Sequence, residues 1–158
     1  MKIKDEKTNV MRILEQKKVK YKSYNYLETG AISGMEVARA LNEDPNLTFK
    51  TLVTIGKTNN HYVFLVPVNK ELDLKKASKA VNEKNIEMVK SKEILALTGY
   101  IHGGCSPVGM KKSFKTVIDN TAKNYDKLIF SGGKIGYQVE TTLYELKKVI
   151  DFDLKDIT

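Results

Sequence analysis

Residues 47–55 read LTFKTLVTI and residues 61–68 read HYVFLVPV, with only GKTNN between them. Both runs are dense in β-branched and aromatic side chains, which suit a pleated, half-buried surface. A connection that short, opened by Gly56, sets the two strands side by side as a hairpin. This pair constrains the fold more than any other stretch. Lys50 interrupts the first run. A lysine inside an apolar strand lies on a solvent face, snorkels, or enters a pocket where its charge has a partner. A solvated edge is the commoner of these.

The rest of the chain supplies elements to cover that hairpin. Val10, Met11, Ile13 and Leu14 fall on helical spacing over residues 8–18 behind a Thr8 cap. A β-prone run at 19–27 carries Tyr21, Tyr24 and Tyr26. Ser33 and Glu36 form a capping box for a helix presenting Val37, Ala38 and Leu41, which Asp44-Pro45 stops. Asp73 caps a helix with Leu74, Ala77 and Val81 on one face. A short strand is expected at 86–89, then a helix capped by Ser91 with Ile94, Leu95 and Leu97. Strands follow at 116–118, 128–130 and 137–140, with a helical turn at 121–125. Thr142 and Glu145 spell a second capping box opening a last helix with Leu146 and Val149. Helices and strands mix without strict βαβ alternation. The expectation is one α/β (α+β) domain over residues 1–158, with a mixed or largely antiparallel sheet, partly barrel-like and surrounded by helices.

Composition narrows the setting. At 158 residues and 41% hydrophobic the chain can bury a core. It has no apolar run of about 18 residues for a membrane helix. The stretch MKIKDEKTNVMRIL lacks the apolar segment of a signal peptide. The single cysteine, Cys105, cannot form an internal disulfide, and a cytoplasmic setting is expected. A net charge of +8 admits phosphate partners, but among the basic residues only Arg12 and Arg39 are arginines. Lysine lacks the bidentate fork that reads base edges, so any nucleic acid would be met at its backbone and shape.

Two glycine loops carry the chemical signal. Residues 98–112, TGYIHGGCSPVGMKK, hold four of the ten glycines, Cys105, His102 and Pro107. Residues 131–136, SGGKIG, are the second loop. Glycine at that density brings main-chain N–H groups close to a ligand. Two histidines 41 positions apart and one cysteine give no metal-ligand spacing. Ser131 lies outside a G-x-S-x-G elbow, and GGKIG is not a P-loop. No Cys-His-Asn signature surrounds Cys105, which reads better as a small buried side chain than as a nucleophile. What remains is main-chain donors and one strand lysine. These suit a carboxyl, ester or phosphate oxygen and a developing oxyanion, with no general base.

FKTLV at 49–53, the 98–112 loop, KTVID at 115–119 and SGGKIGYQVE at 131–140 closely resemble the YbaK/EbsC family. The likeness runs over essentially the whole chain, with the motifs in the family's order. These are free-standing deacylases that clear cysteine mistakenly attached to proline tRNA, similar to the editing domain inserted in bacterial prolyl-tRNA synthetases. The resemblance implies catalytic roles for Lys50, Gly103 and Ser131. It implies substrate contacts from Tyr26 (Tyr24 lies close in spacing), Thr51, Gly104, Ser106, Pro107, Gly132, Gly133 and Gln138. Some members carry an acidic residue where this chain has Gln138. No cofactor or metal is implied. The implied partners are the acceptor end of mischarged tRNA(Pro) and prolyl-tRNA synthetase. In the implied mechanism the substrate's own thiol attacks its ester carbonyl, which removes the need for a protein base. The competing reading is a non-catalytic module that binds aminoacyl-tRNA ends or a small ligand beside a synthetase. A deacylase for another small amino acid on tRNA(Pro) is a further alternative.

Overall fold

The computed structural model describes residues 6–158, so the first five residues of the stretch read for a leader lie outside it. Helix α1 spans Asn9–Gln16, and the Thr8 side chain accepts from the Met11 N–H as its cap. Helix α2 spans Gly34–Ala40 behind a complete Ser33/Glu36 capping box. Helix α3 spans Leu74–Ala80 with Asp73 accepting from two first-turn N–H groups. Helix α4 spans Ser91–Thr98 and helix α5 Leu143–Leu146. Among the described residues the strands are β1 (Lys22–Asn25), β2 (Phe49–Gly56), β3 (His61–Pro67), β4 (Ile86–Met88), β5 (Lys115–Asp119), β6 (Leu128–Ser131), β7 (Tyr137–Thr141) and β8 (Asp153–Lys155).

The expected hairpin forms: β2 and β3 pair antiparallel, with Lys50 opposite Val66 and Val53 opposite Val63. It is the centre of a five-stranded sheet in the order β4-β2-β3-β5-β8. The β3–β5 and β5–β8 pairs are parallel, so the sheet is mixed. Strand β3 is buried on both faces, which explains its unbroken apolar sequence. Val63 and Leu65 join the main core with Val10, Leu14, Phe49, Val53, Phe130 and Val139. Tyr62, Phe64 and Val66 pack on the other side with Ala77 and Val81 of the α3 segment.

The partly barrel-like sheet takes the form of two sheets that do not close on each other. Strands β1, β7 and β6 make a separate antiparallel sheet, joined to the first only by the Thr48–Ile129 bridge among the described residues. Strand β2 pairs with β4 only over Thr54–Gly56. Among the described residues no strand pairs with the other edge of residues 49–52: β6 meets the chain at the Thr48–Ile129 bridge and then diverges, and a gap opens there between the sheets.

Several local expectations change. The strand read at 19–27 is confined to β1, because the chain turns into a short 3₁₀ segment at Leu27–Thr29. The N-cap of α4 is Lys90, whose N–H reaches the Glu93 carboxylate at 3.3 Å; Ser91 is already helical. Only half of the second capping box forms. The Thr142 hydroxyl accepts from the Glu145 N–H, but the Glu145 carboxylate accepts from the Lys20 N–H at 3.0 Å instead. Strand β8 was not expected. Asp119 draws it in by accepting from the Ile157 N–H and the Thr158 hydroxyl. Among the described residues no helix is long and apolar enough to cross a membrane.

Candidate active site

The gap beside the open edge of β2 is a cavity of about 430 Å³, within the range of about 300–1,000 Å³ typical of small-ligand sites. Strand β2 supplies Phe49, Lys50, Thr51 and Leu52. The β6–β7 hairpin supplies Ser131, Ile135, Tyr137 and Gln138, and the loop after α4 supplies His102, Gly103 and Cys105. Tyr26, Ile32, Ser33, Gly34 and Val37 close it from the segment around α2.

Lys50 reaches this cavity from β2, and its ammonium sits 3.3 Å from Glu71. Glu71 is 91% exposed, so that ion pair is solvated and worth little. An anionic ligand group could take the ammonium over at small cost. The Thr51 hydroxyl is different. It is buried and has no hydrogen-bond partner among the described residues. A buried polar atom left unpaired costs about 1–3 kcal/mol, and in a cavity wall it points to a ligand that completes it.

Glycine geometry explains how the two loops meet. Gly103 has φ +91°, a left-handed conformation, and stacks on the Ile135 side chain at 3.6 Å from where its own Cβ would stand. A Cβ on Gly104 would lie 3.2 Å from the Ile135 nitrogen, against backbone that cannot swing aside. The absence of a side chain at 104 is what lets the first loop lie main chain to main chain on the second. The Ser131 hydroxyl accepts from the Gly133 N–H at 3.1 Å, fixing the second loop's turn.

Tyr26 is buried on the cavity wall, and its N–H donates to the Gly136 carbonyl at 2.8 Å. Tyr24 does not border the cavity; its hydroxyl donates to Glu140 at 2.9 Å. Burial pushes the Cys105 thiol up to about 11, so it stays protonated at neutral pH. Burial likewise pushes Tyr100 up to about 12, and its hydroxyl bonds the Val108 carbonyl beneath the loop.

Six of the residues singled out from sequence border the cavity: Tyr26, Lys50, Thr51, Gly103, Ser131 and Gln138. Five do not. Gly104 and Gly132 lie behind it, with Gly132 donating to the Tyr137 carbonyl at 2.8 Å. Gly133 faces Val10, where a Cβ would come within 2.6 Å. Ser106 is fully buried and accepts from the Val108 N–H. Pro107 borders a separate, more open cavity of about 690 Å³ with Lys112, Lys115 and Lys147. Sequence reasoning missed His102 as a wall residue and missed the α2 segment. Only the structure shows why α2 opens on glycine: a Cβ on Gly34 would come within 2.6 Å of Val68. Among the described residues no cluster of three metal-ligating side chains occurs.

Two glycine loops laid main chain to main chain across from a strand lysine describe an aminoacyl-tRNA editing domain, and the model of that family matches residues 31–149; the chain belongs to it. Over 97% of its length it is 42% identical to an Enterococcus faecalis protein named Cys-tRNA(Pro)/Cys-tRNA(Cys) deacylase EbsC, 94% of which is covered. A solved structure described as a trans-editing enzyme for prolyl-tRNA synthetase superposes with TM-score 0.76 at 26% identity, covering 94% of this chain and 98% of that one. The structure of the hypothetical protein APE2540 shares the fold, with TM-score 0.82 at 19% identity over 94% of this chain and all of that one.

Proposed function

We propose that the chain is a trans-editing hydrolase that removes cysteine mistakenly esterified to tRNA(Pro). The observation that carries this reading is the chemical make-up of the cavity. Lys50, the Ser131 hydroxyl, the Gly103 main chain and the unpartnered Thr51 hydroxyl border it, while no carboxylate does among the described residues. Its one thiol is held protonated. Such a wall can hold an ester and stabilise charge on it. It offers no activated nucleophile.

The nucleophile then comes from the substrate. The cysteinyl thiol attacks its own ester carbonyl, a C–S bond forms and the C–O bond to the terminal ribose breaks. The thiol proton leaves with the ribose oxygen, and a cyclic thiolactone is released. Holding thiol and carbonyl in one conformation supplies much of the rate for an intramolecular attack. The Gly103 N–H is assigned to the carbonyl oxygen as its charge develops; the Gly104 N–H, expected from sequence to share that role, is already given to the Ile101 carbonyl at 3.0 Å. Lys50 is assigned to the ribose or phosphate oxygen at the tRNA end. Binding to the tRNA body would rest on lysines and weaken steeply with salt, with prolyl-tRNA synthetase supplying tRNA selectivity.

Deacylation of cysteinyl- and serinyl-tRNA(Pro), with and without prolyl-tRNA synthetase, tests this. Cysteinyl-tRNA(Pro) should be cleared at least a hundredfold faster than the seryl ester, since a hydroxyl is a far weaker nucleophile at neutral pH. Comparable clearance of both would rule out attack by the substrate thiol. No clearance of any mischarged tRNA(Pro) would leave a binding module.

A further inference from the structure

A carboxylate stands directly behind Gln138 and belongs to no motif. Glu43 lies in the turn between α2 and β2, where its own N–H donates to the Ala38 carbonyl at 2.8 Å. Gln138 sits on β7, opposite Tyr24 of β1 and Ser131 of β6. It is 6% exposed and borders the cavity. A carboxylate only accepts, and an amide oxygen only accepts. The amide nitrogen therefore faces Glu43, donating to its two oxygens at 3.2 and 2.6 Å.

We propose that Glu43 is a positioning residue that locks the Gln138 amide with its nitrogen turned to the carboxylate, so that the carbonyl oxygen is the atom offered to the cavity as an acceptor for the substrate's α-ammonium group. This rests on the aminoacyl-ester reading of the site. An unrestrained amide can turn over and present a donor or an acceptor at similar energy. An ammonium needs acceptors; Lys50 in the opposite wall can only donate, and Gln138 brings the one side-chain carbonyl among the lining residues. A locked carbonyl at 138 supplies the complementary group without placing a charge in the wall.

The lock is sensitive to pH. Burial is the main cause that raises Glu43 to about 7, with repulsion from Glu140 adding to it; the bond from Gln138 and the attraction of Lys127 act the other way. The other charged or titratable groups nearby are Tyr24, whose hydroxyl donates to Glu140 at 2.9 Å, and Lys127, 3.3 Å from the same carboxylate. Once protonated, Glu43 can itself donate, and the amide is no longer forced one way round.

Two measurements on the full chain test the proposal. The first uses no substrate. The side-chain amide resonances of Gln138, followed by ¹⁵N–¹H NMR from pH 5 to 9, should titrate with a midpoint near 7, and Glu43→Gln should abolish that titration. Gln138 amide resonances that are the same at pH 8 in the unaltered chain and in Glu43→Ala would overturn the lock. The second compares cysteinyl-tRNA(Pro) with 3-mercaptopropionyl-tRNA(Pro), which keeps the thiol and lacks the amine. Glu43→Ala should raise KM for the first roughly tenfold, with kcat within about twofold, and leave KM for the second unchanged. Glu43→Gln, which keeps one acceptor and the shape of the side chain, should fall between and serves if the alanine variant fails to fold. An equal penalty on both substrates would overturn the ammonium assignment. If the unaltered chain cleaves neither substrate, the deacylase reading and the ammonium assignment fall together, while the NMR result still decides the lock.

Discussion

Two carboxylates, Glu83 and Glu43, sit in opposite circumstances at two ends of the same central sheet. Glu83 lies under the β2–β3 turn, where it accepts from the Thr58 hydroxyl and N–H and, at 2.6 Å, from the Tyr62 hydroxyl. Those donors, Thr58 first and then Tyr62, hold it below the ordinary carboxylate range. Glu43 has one amide to accept from and Glu140 close enough to repel it, and its burial raises it to about 7. The difference separates structural from functional polar chemistry. At the turn every acceptor site is filled from within the chain. At the cavity the Thr51 hydroxyl is unpartnered among the described residues and Lys50 has only a solvated partner, while Glu43, behind Gln138, is held by a single amide. Perturbed and incompletely paired groups collect where a ligand is to complete them.

The largest expected effect breaks the comparison at the cavity end. Lys50→Ala should lower the rate of cysteinyl-tRNA(Pro) deacylation by 10²-fold or more, the scale of losing one electrostatic contact to developing charge. Thermal stability should hardly change, because the ion pair lost among the described residues is with a 91% exposed Glu71. Single-turnover rates with a parallel melting curve check both halves. A variant with full activity would remove Lys50 from the chemistry.

The complementary substitution is Glu83→Ala. It strands the Thr58 and Tyr62 donors under the turn and deletes the carboxylate against which Gly56 packs, 2.3 Å from an added Cβ. The melting temperature should fall by several degrees, while kcat per folded molecule stays within about twofold. A loss of kcat without a loss of stability would couple the turn to the cavity and erase the distinction drawn between the two carboxylates.

How much of this contrast could be read from the sequence depended on how local its causes were. The Thr8, Ser33/Glu36 and Asp73 caps were legible because each hydrogen bond closes within three residues. The β2–β3 hairpin was legible because apolar runs flank a short polar connection. Ser131 and the Gly103–Gly104 step stood out because glycine-dense loops are uncommon. Glu43 was hidden in LNEDPN, which reads as a polar turn, and its partner is 95 residues away in the chain. The failed half of the Thr142/Glu145 box has the same origin: the carboxylate is taken by Lys20, 125 residues distant. The separation of the sheet into two was equally invisible. It follows from β6 meeting the β2 edge at a single bridge, Thr48–Ile129, between residues 81 positions apart.

A smaller effect sharpens the comparison through pH. Glu43 is raised to about 7 from the ordinary 4.5, so between those values the folded chain holds a proton that the unfolded chain has released. Stability therefore falls as pH rises through that window. Glu43→Gln removes this slope, and relative to the unaltered chain the variant should gain on the order of 1 kcal/mol between pH 5 and pH 8, after allowance for partial exposure. Glu83 is lowered, which gives the opposite sign: its contribution is present above the ordinary carboxylate pKa and is lost on acidification below it. Melting temperatures of Glu43→Gln and Glu83→Gln across pH 4–8 should thus diverge from the unaltered chain in opposite directions. Parallel shifts would show that the two carboxylates do not differ as described.

The smallest effect concerns the one side chain at the cavity that most resembles a nucleophile. Cys105 is 8% exposed, and burial lifts its thiol to about 11, partly offset by a hydrogen bond with Thr98. At pH 7 the thiolate fraction is then about one part in ten thousand, and no lining group is paired with it to draw the proton off. Cys105→Ala should leave deacylation within twofold and cost about 1 kcal/mol of stability through the small void it leaves beside the glycine loop. Alkylation by iodoacetamide should be slow in the folded chain and rapid on unfolding. An inactive but folded alanine variant, together with fast alkylation of the native protein, would mean the thiol is activated after all. The cavity would then hold its own nucleophile, and the thiol of the substrate would be a bystander.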